Sequence, residues 1–359
     1  MTIRDDPIQK KRFGDLKLDD PFFDSLKNSY AGFDNWVQKK ASAGEEAYVV
    51  VDQRTGRLSA MLYLKDEEGI DESTIPALTI PRLKVGTFKV GFNHHTSVGK
   101  RLLAVALRRF AESNYEYIYV TMFDNANTQP LRGLMEEYGF VERAIKRESG
   151  EKVLFKCRPQ KTAMRGPSAD FPFIDPDAGN DYLLSIFPEY HDRLYGDTQL
   201  RTQYGEPIKD NRVVNTIEKV YLSGARNGNQ LSPGDHIISY RTAPPGMRAY
   251  YASVVSSVGT ITEIHNISEF PNVEEFLSDI SGRSVFTEEE LRRFYLEKKY
   301  PWIINFLYNF RFDRYPNRQK LLDEGVISED ARIVCTPLSK MSFKQILKLG
   351  AINESYVLD

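Results

Sequence analysis

The stretch Phe88–Leu103, FKVGFNHHTSVGKRLL, opens like a β-strand, passes through two adjacent histidines and a Ser-Val-Gly step, and runs into an amphipathic basic helix. A glycine-containing turn between a strand and a helix presents several backbone N–H groups together with the positive end of the helix dipole, and anions bind there. The charge pattern points to a phosphate. From Ser73 to Ala111 there is no Asp or Glu, while Arg82, Lys84, Lys89, Lys100, Arg101, Arg108 and Arg109 all fall inside. His94 and His95, as neighbours on a turn, do not converge on one metal, and no Asp, Glu or Cys lies nearby in sequence to complete a ligand set. No metal site is expected; the pair flanks the phosphates or faces solvent.

Outward from this turn the chain alternates between helix and strand signals. A helix candidate covers PFFDSLKNSYAGFDNWVQKKA, and strands AYVVVD and RLSAMLYLK are joined by a QRTG turn in which Gly56 supplies the positive φ. KDEEGIDESTIP reads as a solvated loop, and RLKVGTFKVGF as the strand that enters the turn. After the basic helix, YEYIYVTMF places Ile118, Val120 and Met122 on one face and Tyr117, Tyr119 and Thr121 on the other, the period-two mark of a strand. Helix QPLRGLMEEYGF follows, capped at Gly139, and strands near Val141–Ile145 and Val153–Lys156 close a mixed α/β unit.

Beyond Cys157 the run CRPQKTAMRGPSADFPFIDPDAGNDY is rich in Pro, Gly and Asp and lacks periodicity, so residues 162–214 are expected to be a linker or wrapped connection. The remainder, residues 215–359, carries strands NTIEKVYLS, DHIISYR, YYASVVSSVGTITEIHN and WIINFLYNFRF, with helices between and after them. This is an α+β pattern around a small sheet or barrel. In RRFYLEKKYPWIINFLYNFRFDRYPNRQK basic and aromatic residues interleave, as they do where unpaired bases stack and phosphates are neutralised. Trp302, Phe306, Tyr308 and Phe310 read mainly as core residues of one strand, leaving Arg311, Arg314 and Arg318 as a candidate phosphate-facing edge.

At 359 residues the chain is long enough for two domains. Its 41% hydrophobic and 27% charged residues are those of a globular protein without membrane spans, and a net charge of −2 offers no global attraction to nucleic acid. The charged N-terminus lacks a secretory core. The two distant cysteines, Cys157 and Cys335, indicate neither a disulfide framework nor zinc, and a reducing cytoplasm is expected.

The order of elements from Pro21 to Cys157, with HHTSVG before the helix and YGF after the next one, resembles the GNAT superfamily of acyl-CoA-dependent N-acetyltransferases. The family's Q/R-x-x-G-x-G/A segment matches His94, Ser97 and Gly99, two of its motif residues being substituted, and its Gly-Phe matches Gly139 and Phe140. The resemblance implies a mixed sheet flanked by helices over residues 1–161 and acetyl-CoA as cofactor. Its pyrophosphate would be held by His94, His95, Thr96, Ser97, Val98, Gly99 and Lys100. Its thioester would be polarised by main-chain groups of Lys89, Val90, Gly91 and Phe92, with Asn125 and Asn127 as further cofactor contacts. Glu67 and Glu68, after the third strand, are candidate general bases alongside Asp66. Met135 stands where the family often has a tyrosine acid, so Tyr138 is the candidate acid, with Tyr115, Tyr117 and Tyr119 as further tyrosines.

In the second half, LSPGDHI after NTIEKVYLS resembles the PUA-like group of small β-barrels, including the ASCH and EVE domains, whose members bind RNA or modified bases. The joint expectation is an N-acetyltransferase transferring acetyl directly to an amine, with a PUA-like domain recruiting an RNA, DNA or nucleotide-containing substrate. Two alternatives stand beside it: a coenzyme A-binding protein without activity whose second domain binds RNA or modified DNA, and a toxin-like enzyme that acetylates aminoacyl-tRNA.

Overall fold

In the computed structural model, which describes residues 8–91, 97–195, 217–280 and 283–358, the chain divides into two compact units, Met1–Arg158 and Pro159–Asp359. The first holds β1 (Ile8–Arg12), α1 (Asp24–Ser29), α2 (Phe33–Ser42), β2 (Glu46–Val51), β3 (Leu58–Glu67), β4 (Thr74–Ile75), β5 (Arg82–Val90), α3 (Ser97–Ala111), β6 (Tyr117–Met122), α4 (Gln129–Glu137), β7 (Val141–Lys146) and β8 (Lys152–Cys157). Its eight strands lie in the order β1-β2-β3-β5-β6-β8-β7-β4. Every neighbouring pair is antiparallel except β5 and β6, which run parallel.

Local chemistry accounts for most of these elements. The β2–β3 hairpin turns through Gly56 at φ +68°, while the Asp52 carboxylate accepts from the Arg54 and Thr55 amides at 2.8 and 3.1 Å. The single helix expected over 21–41 is instead a 3-10 turn, α1 and α2, because the chain breaks at Gly32, whose φ is +83°. Residues 65–76, expected as a loop, carry the end of β3 and the short β4. Helix α3 buries Leu102, Leu103, Ala106, Leu107 and Phe110 completely or nearly so, which anchors one face of the sheet. The other face is covered in part by the 3-10 turn before α1 and by α2; Phe23 of the first and Phe33 and Val37 of the second pack with Val49, Met61 and Tyr63.

The second unit holds α5 (Pro167–Asp170), β9 (Asp181–Ile186), α6 (Pro188–Leu194), β10 (Glu218–Ser223), β11 (His236–Arg241), α7 (Ala249–Ala252), β12 (Val254–Asn266), α8 (Val273–Ile280), α9 (Glu288–Glu297), β13 (Trp302–Arg311), α10 (Arg318–Asp323), β14 (Cys335–Leu338) and α11 (Lys340–Leu349). Their sheet order is β10-β13-β12-β11-β9-β14. Two expectations are corrected here. Among the described residues the sheet is open, with β10 and β14 at its edges, so no closed barrel forms. Nor is all of residues 162–214 a connection. Within it β9 pairs parallel with β11 and antiparallel with β14, and five of its six residues are buried, so no polar–apolar alternation marked it.

In β13 residues 303–310 are all buried, so the aromatics belong to a central strand covered on both faces. The Pro-Gly-Asp turn also has a structural role. Gly234 takes φ +91°, and the Asp235 carboxylate accepts from the Asn180 and Ser232 amides, both at 2.8 Å, tying the start of β11 to the approach to β9.

Candidate active site

The site begins with a defect in the first sheet. Strands β5 and β6 pair only over Leu83–Val85 and Ile118–Val120. At that point the β3–β5 register skips a residue, with Tyr63 opposite Thr87 and Leu64 opposite Val85, leaving Gly86 as a bulge. A Cβ on Gly86 would lie 2.7 Å from Tyr63 Cδ1, so only glycine lets the two strands approach here. Bulges bend a strand and strengthen its twist. Past Gly86, β5 therefore leaves β6, and the sheet splits.

Which backbone groups face the split follows from one hydrogen bond. The Gly91 N–H donates to the Ser59 carbonyl of the β3 side at 2.8 Å. By the two-residue alternation of a strand, the Lys89 peptide also faces β3, while the peptide groups of Phe88 and Val90 face the gap. The expectation for Lys89 to Phe92 is thus narrowed: Val90 is directed into the split, whereas Gly91 and Lys89 serve the β3 pairing. The Lys89 ammonium binds the Phe22 carbonyl and Ser25 hydroxyl and lies 4.8 Å from the centre of the Phe22 ring.

Phe92, His94, His95 and Thr96 lie outside the described residues. Beyond them α3 starts at Ser97 with no acidic residue in its first turn. Val98 is buried, and Gly99 packs where a Cβ would meet Leu134 at 3.5 Å and Val90 at 3.9 Å, so this turn sits directly against β5 and α4. The Lys100 ammonium pairs with Glu137 at 3.2 Å. Asn125 and Asn127 follow β6 in an exposed turn, where the Asn125 carboxamide accepts from the Asn127 amide at 3.0 Å.

The acid–base candidates fall on opposite faces. Lys156, paired with Ile118, extends its ammonium to the Tyr138 carbonyl at 2.7 Å, which places Tyr138, fully buried, on the α3 side. Glu67 lies on the other face with Tyr119, whose hydroxyl donates to it at 2.6 Å. Tyr138, the candidate acid, and Glu67, a candidate base, therefore stand on different faces, and the tyrosine bonded to Glu67 is Tyr119. Glu68 is exposed just past the end of β3, and Asp66 pairs with Arg109 at 3.2 Å.

Around Glu67 stand Lys65 at 3.0 Å, Arg82 at 3.4 Å and Lys84 at 3.7 Å. Burial opposes ionisation of Glu67, but the Tyr119 hydroxyl and the Lys84 and Lys65 ammonium groups outweigh it and hold its carboxyl below the usual range. Burial, then the Glu67 carboxylate, pushes the Tyr119 phenol far above its ordinary value. Burial depresses the Lys84 ammonium, against the pull of Glu67. The arrangement is an ionised carboxylate held by a protonated phenol, on the face of β5 next to where the split begins.

The basic residues that composition placed in one run are therefore distributed over two faces. Register decides this, so no single-sequence signal identifies Tyr119 as the partner of Glu67. In the second unit, Arg318 donates to the Glu329 and Ala331 carbonyls at 3.3 and 2.9 Å, a structural role, while Arg311 is exposed at the end of β13. Arg314 lines a groove of about 500 Å³ with Tyr315, Lys320, Glu324 and Lys348.

No helix among the described residues is long and apolar enough to cross a membrane. No family sequence model matches the chain, and no curated protein matches it in sequence. Among solved structures, the ASCH protein of Zymomonas mobilis is 15% identical with a TM-score of 0.31, covering 47% of this chain and 94% of its own. A protein assigned to the GNAT acetyltransferase family from Desulfovibrio desulfuricans is 13% identical with a TM-score of 0.29, covering 42% and 95%. One assigned as an acyl-CoA N-acyltransferase from Klebsiella pneumoniae is 12% identical with a TM-score of 0.26, covering 42% and 97%. The structural neighbours thus include ASCH and GNAT-type proteins, each matching under half of the chain.

Proposed function

We propose that the first unit is an acetyl-CoA-dependent N-acetyltransferase. The observation that carries this reading is the split at Gly86, past which the peptide groups of Phe88 and Val90 lie beyond the β5–β6 pairing, with the first turn of α3 packed against Val90. Such a set suits a long, flexible ligand with amide groups along its length and phosphates at its end, because backbone donors meet the first and a helix N-terminus the second. When bound, acetyl-CoA supplies the activated acyl group. Val90 and Phe88 orient it, the α3 turn holds its phosphates, and Glu67, ionised and fixed by Tyr119, receives the proton of the attacking amine, directly or through water.

Isothermal titration with acetyl-CoA tests this, with thioester consumption measured across a panel of amines. Saturable binding weakened by Ser97→Glu supports the reading; no binding to folded protein at millimolar ligand overturns it.

A second reading concerns the other unit. The groove at Arg314, Lys320 and Lys348, beside the Tyr315 ring, favours RNA or DNA as its partner. A salt-dependent mobility shift abolished by Arg314→Glu supports that role, and an unchanged shift with the variant rejects this groove as the contact.

A further inference from the structure

We infer that the acyl acceptor is an amine carrying an anionic oxyacid group, and that Lys84 is its anchor. This deepens the acetyltransferase reading and rests on it. Among the described residues, the cations Lys65, Arg82, Lys84 and Lys146 stand around the carboxylates Glu67 and Asp71 on the Glu67 face of the sheet. Asp71 is matched: Lys146 meets it at 3.0 Å and the Ser73 amide donates to it at 3.0 Å. The neighbouring Glu45 is matched as well, by the Tyr63 hydroxyl and by Lys40 at 2.9 Å. Glu67 is left facing Lys65, Arg82 and Lys84, and two positive charges remain in excess.

Two of these cations also have unmet donors. The Lys84 side chain is only 23% exposed, and its ammonium makes no hydrogen bond among the described residues, Glu67 being 3.7 Å away. The Arg82 side chain is 3% exposed. Its Nη1 donates to the Gly69 and Ile80 carbonyls, while its Nε faces Glu67 Oε2 at 3.4 Å without forming a hydrogen bond. Buried donors are ordinarily satisfied, and a largely buried ammonium is costly without a partner. A carboxylate or phosphate oxygen at Lys84 would give that ammonium the charge-assisted bond it lacks and offset the excess charge.

The position is also right for an acceptor. Lys84 pairs with Tyr119 in the β5–β6 register, immediately before Val85, where the pairing ends. Its side chain lies on the face opposite α3, with the ammonium 5.5 Å from the centre of the Tyr119 ring. An oxyanion at Lys84 therefore sets an attached amine between the Glu67–Tyr119 pair and the opening of the sheet, clear of the turn that would hold the coenzyme phosphates.

The experiment compares glycine and 2-aminoethyl phosphate with glycinamide and ethylamine, at saturating acetyl-CoA, in wild type, Lys84→Met and Lys84→Arg. The expected result is kcat/KM at least tenfold higher for the anionic members, and the better anion tells carboxylate from phosphate. Lys84→Met should raise their KM on the order of 10- to 100-fold, the size of a lost charge-assisted bond. Lys84→Arg should restore part of it, with acetyl-CoA affinity unchanged within twofold. Equal or better use of neutral amines, or an unchanged KM in Lys84→Met, overturns the inference while leaving the acetyltransferase reading intact. Absence of acetyl-CoA binding overturns that reading instead. The subsite is then judged by titrating inorganic phosphate, whose binding should be lost in Lys84→Met; equal binding or none in both proteins rejects it.

Discussion

The two sheets handle their one parallel strand pair differently. In the first unit, β5 and β6 separate after three paired residues because the Gly86 bulge bends β5 away. In the second, β9 and β11 stay paired over all six, from Asp181–His236 to Ile186–Arg241. A sheet that splits leaves peptide groups for a ligand, whereas a continuous one uses them in its own ladder and leaves polar work to side chains. The second unit shows this in a buried network: His191 Nε2 lies 2.7 Å from the Ser256 hydroxyl, and Arg241 grips Asp192 through two nitrogens at 2.8 and 2.9 Å. Ser256 is itself a bulge residue, skipped in the β11–β12 register. In one sheet a bulge opens a gap; in the other it aims a hydroxyl inward.

Five substitutions sharpen that contrast, the largest effect first. Arg241→Ala leaves the Asp192 carboxylate without its fork in a site where Arg241 is 1% exposed, and should destabilise the second unit by about 3 kcal/mol in denaturant unfolding. Asp192 adds a pH signature. Burial opposes its ionisation, but His191 and Arg241 hold its carboxyl below the ordinary 3.8, so the stability it contributes is present above that pH and is lost as pH falls through the lower folded value. An acid limb that is the same in wild type and Asp192→Asn would refute this.

Gly86→Ala should cost about 1–3 kcal/mol, because the Tyr63 ring must move to admit the methyl group. It should also weaken acetyl-CoA binding, since the split depends on the bulge. Normal affinity in a folded Gly86→Ala protein would disconnect the bulge from the site. Ser97→Glu, in the first turn of α3, should weaken acetyl-CoA roughly tenfold by neutralising the positive end of the helix dipole and repelling phosphate, as read by titration calorimetry.

The smallest effect is expected from Tyr119→Phe. Losing the hydroxyl that donates to Glu67 raises that carboxyl, so the acid limb of the kcat/KM profile should move to higher pH. A profile that keeps its position would remove Glu67 as the base.

Much of this architecture was legible where the signal is local. The alternation in Tyr117–Met122 marked β6, the QRTG turn marked the β2–β3 hairpin, and Gly139, at φ +87°, ends α4 as its place after the helix foretold. Helix α9 starts at Glu288 behind Thr287, whose capping box with Glu290 is likewise local. Strand β9 was not legible, because DYLLSI is buried on both faces and sits in a stretch rich in Pro, Gly and Asp. The candidate site was half legible: the β5-to-α3 order and Glu67 could be named, but Tyr119 and Lys84 could not be assigned their roles.

What residue order alone determined was therefore the kind of elements and their succession: a mixed α/β half, an α+β half, a strand running into a basic helix. These follow from periods of 2 and 3.6 residues and from turn chemistry within a few positions. Tertiary structure decided the rest. The partner of Glu67 stands 52 residues away, and the bulge at Gly86 exists only against Tyr63 of the neighbouring strand. Register between distant strands depends on packing across the sheet, and a shift of one residue turns every side chain to the other face. That is why the chain named its carboxylate and its lysines, while only the folded sheet put them together beside an opening.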